Sequence, residues 1–171
     1  MLTEFADTVV SLINENIALV EPIVFALGFA ESTMVISLLV PSSALLVAIG
    51  GVHSAAGGEF WSVVLAGGAG AFIGDVITFA IGRHFKDDIR KWWPLSRRPE
   101  WYVGTRIYVA RWGASGVIFS KFFGVLRPFV PALAGAAGMK WPVFLAASPI
   151  SCLLWAGAFL APGYGIGLLF T

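Results

Sequence analysis

Two basic residues, six positions apart, stand in a stretch that is otherwise apolar. Residues 121–138 read KFFGVLRPFVPALAGAAG, so Lys121 and Arg127 lie beside proline-containing breaks. A cation at the bilayer centre costs about 2.5–3.5 kcal/mol on insertion scales, so each of these side chains needs a compensating partner. An arginine grips a phosphate through two parallel hydrogen bonds, whereas a lysine acts as a point charge. The pair is therefore a candidate phosphate site.

Two acidic residues within long apolar stretches, Glu31 and Asp75, are the available partners. An ionisable residue in a membrane segment is a functional candidate by default. We expect Glu31 to pair with one cation, which would leave the other for an anionic substrate. For Asp75, functional and structural roles are equally open. In the alternative interpretation, Arg127 and Glu31 merely lock two segments together, while Lys121 reaches the cytoplasmic interface.

Proline-containing breaks supply further hydrogen-bond donors near these charges. Pro41, Ser42 and Ser43 precede the apolar run ALLVAIGG, and Pro131 precedes the similar run ALAGAAG. The first N–H groups of each restarted helix would be free donors that carry partial positive charge. Ser42 and Ser43 are candidates for binding the same anion, with plain helix capping as the alternative. Together these groups predict a phosphate pocket at membrane depth.

The composition indicates which kind of chain must position these residues. Of the 171 residues, 58% are hydrophobic and only 12% are charged, whereas soluble domains carry about a quarter charged residues. We therefore predict an all-α integral membrane protein, because each helical span needs roughly 20 apolar residues. The single cysteine, Cys152, excludes an intrachain disulfide, and its apolar surroundings favour a core position. The first residues lack a basic n-region, so we expect no cleaved signal peptide.

The charge distribution predicts the orientation in the membrane. No lysine or arginine precedes Arg83, and eight of the eleven basic residues lie between Arg83 and Arg111. By the positive-inside rule this basic segment is cytoplasmic. Its interleaved tryptophan, tyrosine and isoleucine residues fit an interfacial helix better than a nucleic-acid patch.

The apolar pattern predicts an amphipathic interfacial helix over residues 1–16 and a single membrane domain over residues 17–171. Broken backbone is tolerated at membrane depth only where protein or a water-filled cavity satisfies it, which favours re-entrant helical hairpins at the two breaks. The predicted segments are a span at 17–30, a re-entrant hairpin at 31–52, a span at 61–82, a cytoplasmic basic amphipathic segment at 83–112, a re-entrant hairpin at 114–138 and a span at 141–168.

The two halves of the domain resemble each other. Residues 44–51 and 132–139 share four residue types in register. If one copy enters from outside and the other from the cytoplasm, they form an inverted repeat; chance similarity of Ala- and Gly-rich helices is the alternative. Gly70 and Gly74 form a small-xxx-small pattern that lets another helix approach closely, within the chain or from a second copy in a homodimer.

Three blocks of the sequence resemble the DedA family of bacterial membrane proteins, also known by its VTT domain. They read AESTMVISLLVPSSALLVAIGG, GDVITFAIGR and FSKFFGVLRPFVPALAGAAGMKWPVFLAASPISCLLWAGAFLAPGYGIG. The resemblance implies two re-entrant hairpins that meet in the bacterial inner membrane. It also implies that the protein moves lipids, such as undecaprenyl phosphate or phospholipids, across the bilayer, with a link to the proton-motive force.

The resemblance also implies roles for single residues. Glu31 stands at the family's first acidic position and Arg127 at its second arginine. Lys121 replaces the usual first arginine; it keeps the positive charge but lacks the planar guanidinium that can bind two oxygens at once. Ser43 replaces a frequent aspartate or glutamate, which removes a second carboxylate that proton coupling would use.

We therefore expect a transporter or flippase for a phosphate-bearing lipid headgroup, with Arg127 and Lys121 holding the phosphate and Glu31 competing for them. The main alternative is a proton-coupled exporter of small ions or drugs. A lipid phosphatase is disfavoured, because His53 and His84 lie on opposite sides of a predicted span, whereas such enzymes need a histidine nucleophile and a second histidine. We expect an anionic lipid and the membrane as partners, and no enzymatic activity, cofactor, metal or nucleic acid.

Overall fold

A computed structural model describes residues 17–33, 42–92, 95–122, 127 and 129–170. The described residues are helical or form turns, and they include no strand. The predicted interfacial helix at 1–16 and the side chains of Ser42 and Ser43 lie outside the described part. The α-helices are α1 (Val20–Ser32), α2 (Ser42–Ala55), α3 (Phe60–Phe85), α4 (Pro99–Ser120), α5 (Val130–Ala136) and α6 (Trp141–Gly167). Short 3₁₀ helices cover Ile17–Leu19, Lys86–Lys91 and Leu168–Phe170.

Within the described residues, α3 and α6 are long and apolar enough to cross a membrane. Their 26 and 27 residues correspond to about 40 Å each at 1.5 Å per residue, which exceeds the roughly 30 Å of a bilayer's hydrocarbon core. The two helices are antiparallel. The Tyr164 hydroxyl donates to the Gly58 carbonyl at 2.7 Å, and Arg83 Nη1 donates to the Met139 carbonyl at 2.8 Å. We call these the Tyr164 end and the basic end.

The glycine pattern of α3 lets α1 approach closely, as the sequence predicts. A Cβ atom on Gly74 would lie 2.8 Å from the Phe29 carbonyl oxygen, and one on Gly70 would overlap the Phe25 carbonyl. Both glycines therefore serve packing within the chain. Because Val24 contacts Gly67 and Ser32 contacts Gly74, α1 runs in the same direction as α3. It starts at the Tyr164 end and stops near the middle of α3.

Helix α2 packs against the opposite long helix. Its Gly50 lies beside the backbone nitrogen of Tyr164, at 3.2 Å from the position of a Cβ, and Ser54 contacts Gly167. This register makes α2 parallel to α6, so α2 ends at the Tyr164 end. Helices α1 and α2 thus occupy one half of the length of the long helices.

Helices α4 and α5 occupy the other half. A Cβ on Gly82 of α3 would overlap the Ala132 carbonyl of α5. Ser151 of α6 donates a hydrogen bond to the Ile118 carbonyl of α4 at 2.8 Å. Gly113 interrupts α4 with φ 50° and ψ −124°, a conformation that favours glycine. This kink separates the basic amphipathic part of α4 from a final stretch that leads to Lys121.

The first helix differs from the sequence-based prediction: the span expected at 17–30 corresponds to α1, which has 13 residues and stops near the middle of α3. Helix α1 ends at Ser32, so Glu31 lies in its last turn rather than at the start of a hairpin. A charge inside an apolar run suggests a break, but the helix continues because Glu31 has a buried cationic partner. Glu31 and its partner Arg127 therefore lie near the middle of the fold.

Candidate functional site

Glu31, Asp75, Lys121 and Arg127, which come from separate parts of the chain, converge near the middle of the two long helices. Glu31 ends α1, Asp75 lies within α3, Lys121 follows α4, and Arg127 lies between α4 and α5. Glu31, Asp75 and Lys121 are 4%, 2% and 5% exposed. Lys121 is therefore buried within the fold, which disfavours the snorkelling alternative.

Lys121 forms an ion pair with Asp75. Its Nζ lies 3.0 Å from Asp75 Oδ1 and also donates to the Ser32 hydroxyl at 3.0 Å. The other carboxylate oxygen, Oδ2, accepts hydrogen bonds from the Ser148 hydroxyl at 2.8 Å and from the Cys152 thiol at 3.4 Å. Both oxygens of Asp75 are therefore satisfied, as a buried carboxylate requires.

Arg127 pairs with Glu31 and stacks on Trp155. Arg127 Nη2 contacts Glu31 Oε1, and the guanidinium carbon lies 4.7 Å from the centroid of the Trp155 ring. Lys121 Nζ lies 5.8 Å from the same centroid. The fully buried Trp155 side chain thus contacts both cations, and its ring face attracts positive charge. It links the two ion pairs into a single cluster.

The second ion pair leaves polar atoms without partners. Glu31 Oε2, Arg127 Nε and Trp155 Nε1 are buried and have no hydrogen-bond partner among the described residues. A buried unsatisfied group costs about 1–3 kcal/mol, and such groups call for a specific explanation. Two of these atoms are donors, which suits the oxygens of an anion, and the third is an acceptor.

The expectation of a free cation is wrong. Glu31 pairs with a cation as expected, but the remaining one, Lys121, is neutralised by Asp75. The sequence left the role of Asp75 open, and the structure puts this carboxylate inside the cluster. Because two cations face two carboxylates, the four side chains sum to zero charge. An anion that enters must compete with carboxylates rather than fill an empty positive site.

The neutral side chains of the cluster were not predicted from the sequence. Ser148, Cys152 and Trp155 recur at positions i, i+4 and i+7 of α6, so they lie on one face of that helix. Cys152 is buried, as expected, yet it also contacts Asp75. The spacing of weakly polar residues in α6 was the available signal. Ser32 had none, because its role depends on where α1 ends.

Ser42 begins α2, but the structure does not describe the side chains of Ser42 and Ser43, so their predicted role in anion binding stays a prediction. The histidines lie at opposite ends of the fold. His53 Nε2 is 3.1 Å from the Glu59 carbonyl, and His84 packs against Phe85. The described side chains include no group of three or more histidine, cysteine or acidic residues that could hold a metal ion.

Comparison with known proteins identifies the family. A family model described as the VTT domain matches residues 40–165. Inner membrane protein YabI of Escherichia coli K12 is 29% identical over 140 residues, which cover 82% of this chain and 55% of YabI. Protein DedA of the same strain is 27% identical over 162 residues, which cover 92% of this chain and 74% of DedA. An uncharacterized membrane protein of Mycobacterium tuberculosis H37Rv is 36% identical over 103 residues, 58% of this chain and 47% of that protein.

The chain thus spans little more than half the length of YabI, and 62% of that of a related membrane protein from Buchnera aphidicola. No solved structure matches it. The VTT-domain match covers most of the chain and includes Asp75, Lys121, Arg127 and the neutral residues of α6. The chain is a membrane protein and belongs to the DedA family, which the VTT domain defines.

Proposed function

We propose that this protein moves a phosphate-bearing lipid headgroup across the bacterial inner membrane, as a multi-pass protein without a catalytic step. Undecaprenyl phosphate and phospholipids are the substrate classes that the chemistry fits. The observation that carries the proposal is a pair of donors in the buried cluster, Arg127 Nε and Trp155 Nε1, that have no hydrogen-bond partner among the described residues. An ion pair that served only as a structural lock would be expected to satisfy its own atoms.

The donors define how a phosphate would bind. Its oxygens would accept hydrogen bonds from Arg127 Nε and Trp155 Nε1, and it would compete with the Glu31 carboxylate for the guanidinium fork. A phosphate monoester carries about −1.5 to −2 charge at pH 7 and the phosphodiester of most phospholipids carries a single negative charge, whereas the cluster is already neutral. Binding therefore favours protonation of Glu31 or its withdrawal from the site. This requirement gives a physical route by which protons would be coupled to translocation.

The packing of the helices supports an inverted repeat. Helix α1 packs on α3 and α2 on α6 in the first half, whereas α4 packs on α6 and α5 on α3 in the second. If α1, α2 and α3 are exchanged with α4, α5 and α6, the contact of α1 with α3 becomes that of α4 with α6. The contact of α2 with α6 becomes that of α5 with α3 in the same way. Helices α1 and α2 reach inward from the Tyr164 end, and α4 and α5 from the basic end. We propose that they are re-entrant hairpins of opposite orientation, and the contact between Ser32 and Lys121 at the inner ends of α1 and α4 supports this arrangement.

This arrangement suits alternating access. In other inverted-repeat carriers the substrate lies near the bilayer midplane, between the repeats, and each half opens toward one side. Here the basic end would face the cytoplasm by the positive-inside rule. The headgroup would reach Arg127 from one side and leave it toward the other, while its acyl chains remain in the hydrocarbon layer.

Translocation of a fluorescent phosphate-bearing lipid in proteoliposomes tests the proposal. Arg127→Ala leaves Glu31 buried without a cation, so this variant can lose activity simply by unfolding. The double variant Glu31→Gln, Arg127→Gln keeps polar groups of similar size and removes both charges. Lys140→Gln removes an exposed cation outside the cluster and serves as the control. We expect a folded double variant without translocation; translocation at the wild-type rate would rule the proposal out.

A second candidate is a proton-coupled exporter of small ions or drugs. It is favoured by Glu31 Oε2, an acceptor that has no partner within the described ranges and that can take a proton. The cations Lys121 and Arg127 disfavour a cationic cargo. Transport of a cationic dye and of a phosphate lipid, each with and without a pH gradient, separates the two functions. Dye transport without lipid transport would favour the exporter.

A further inference from the structure

A cavity lies at the basic end, separate from the charged cluster. Its volume is about 260 Å³, below the roughly 300–1,000 Å³ of pockets for drug-sized ligands. It is lined by Arg90, Leu95, Ser96, Pro99, Tyr102 and Val103. It therefore lies between the 3₁₀ helix Lys86–Lys91, the turn that follows it and the first turns of α4.

The floor of this cavity is part of the protein core. Leu95 is fully buried and Tyr102 nearly so, and both pack with Phe129 and Leu133 from the segment around α5. The Tyr102 hydroxyl accepts a hydrogen bond from Arg106 Nη1 at 3.0 Å. The cavity is thus built on residues that the core holds in place.

Arg90 differs from two neighbouring basic residues, Lys91 and Arg98. Lys91 pairs with Asp88 at 2.6 Å, and Arg98 pairs with Glu100 at 3.5 Å. Arg90 lines the cavity and has no ion-pair partner among the described residues. With the Ser96 hydroxyl on the same wall, it offers hydrogen-bond donors to an anion. An arginine suits a phosphate in particular, because its fork matches two oxygens.

One wall of the cavity continues into an exposed apolar face. Val103 and Ile107, one helical turn apart on α4, are 53% and 62% exposed. Basic residues flank them, which is the pattern of a helix that lies in the bilayer interface. A ligand in the cavity would therefore have a charged group beside Arg90 and an apolar part along Val103 and Ile107.

We propose that this cavity binds the phosphate of an anionic phospholipid from the leaflet at the basic end. Arg90 and Ser96 hold the phosphate, and Val103 and Ile107 contact the acyl chains. A free phosphate offers the same charged group but gains nothing from the apolar wall. The proposal does not depend on translocation, because it concerns a lipid held at the surface, outside the charged cluster.

Native mass spectrometry of the full chain, released from nanodiscs that contain phosphatidylcholine and increasing phosphatidic acid, tests this site. Arg90→Gln should weaken binding of phosphatidic acid about tenfold, as expected for the loss of a charge-assisted hydrogen bond. Lys91→Gln removes the same charge one residue away, outside the cavity, and should change binding less than about twofold. Val103→Ser should weaken phosphatidic acid binding but not that of inorganic phosphate.

Several results would overturn the proposal. An unchanged affinity in Arg90→Gln would exclude Arg90 as a ligand. If Arg90→Gln and Lys91→Gln weakened phosphatidic acid binding equally, the binding would be explained by diffuse charge attraction to the basic end rather than by a site at Arg90. Competition by inorganic phosphate as strong as that by short-chain phosphatidic acid would exclude the acyl-chain contacts. Because these variants leave Arg127 intact, failure here is distinguishable from failure of the translocation proposal.

Discussion

The ion pair between Lys121 and Asp75 allows a quantitative test of the charged cluster. Asp75→Asn keeps the shape of the side chain but leaves the Lys121 charge buried, with the Ser32 hydroxyl still accepting its hydrogen bond. Removing one partner of a buried ion pair costs about 3–5 kcal/mol. Native proteins are stable by only about 5–15 kcal/mol. We therefore expect a folded but strongly destabilised single variant.

The double variant Asp75→Asn, Lys121→Met separates the ion pair from simple loss of packing. Neutral replacement of a whole buried pair is often neutral or even stabilising. Ser148 and Cys152 can still donate to the amide oxygen of the introduced asparagine, so the double variant should recover most of the loss. The double-mutant cycle formed by the two single variants and the double variant should show a coupling energy of about 2–4 kcal/mol, within the range of close buried pairs.

Equilibrium unfolding in detergent micelles, followed by tryptophan fluorescence, measures each corner of this cycle. Ser62→Ala, at an exposed hydroxyl near the Tyr164 end, is the control and should change stability by less than about 1 kcal/mol. Additive effects of Asp75→Asn and Lys121→Met, each below about 1 kcal/mol, would refute the buried ion pair. They would mean that Lys121 reaches water in the membrane-embedded protein.

Three further changes follow from the geometry. Lys86 has φ 48°, so Lys86→Gly should stabilise the protein by about 1 kcal/mol or more in thermal unfolding, and Lys86→Ala should not. Gly82→Ala should destabilise strongly, because its Cβ would overlap the Ala132 carbonyl, whereas Gly157→Ala, with nothing within 4 Å, should not. Trp155→Phe keeps an aromatic face but removes Nε1, so lipid translocation should fall even in the protein that stays folded, although the smaller ring also costs some stability; unchanged translocation would exclude Nε1 as a phosphate donor.

The long helices could be predicted closely from the sequence alone. The apolar runs at 61–82 and 141–168 correspond to α3 (Phe60–Phe85) and α6 (Trp141–Gly167). Each run has about the length of a span and begins at an aromatic residue, so local composition suffices. The small-xxx-small pattern of Gly70 and Gly74 was equally informative, because close helix packing requires the missing side chains.

The pairing inside the cluster could be predicted only in part. Charge compensation predicts that Glu31 meets a cation, but it does not say which cation. Asp75 lies on a helix that is apolar all round, so periodicity does not indicate which face it occupies. That face is set by the contact of α1 with Gly70 and Gly74, which brings the end of α1 beside Asp75. Such tertiary constraints leave no signal in local sequence.

Each ion pair joins one half of the fold to the other. Glu31 belongs to the first half and Arg127 to the second, whereas Asp75 belongs to the first and Lys121 to the second. In the proposed inverted repeat, the first half thus supplies both carboxylates and the second half both cations. The two pairs are not equivalent, because both oxygens of Asp75 accept hydrogen bonds, while the Glu31 pair keeps atoms that have no partner in the described part of the chain. An anion would therefore displace Glu31 more easily than Asp75, so that α1 is released from Arg127 while Lys121 still holds the halves together.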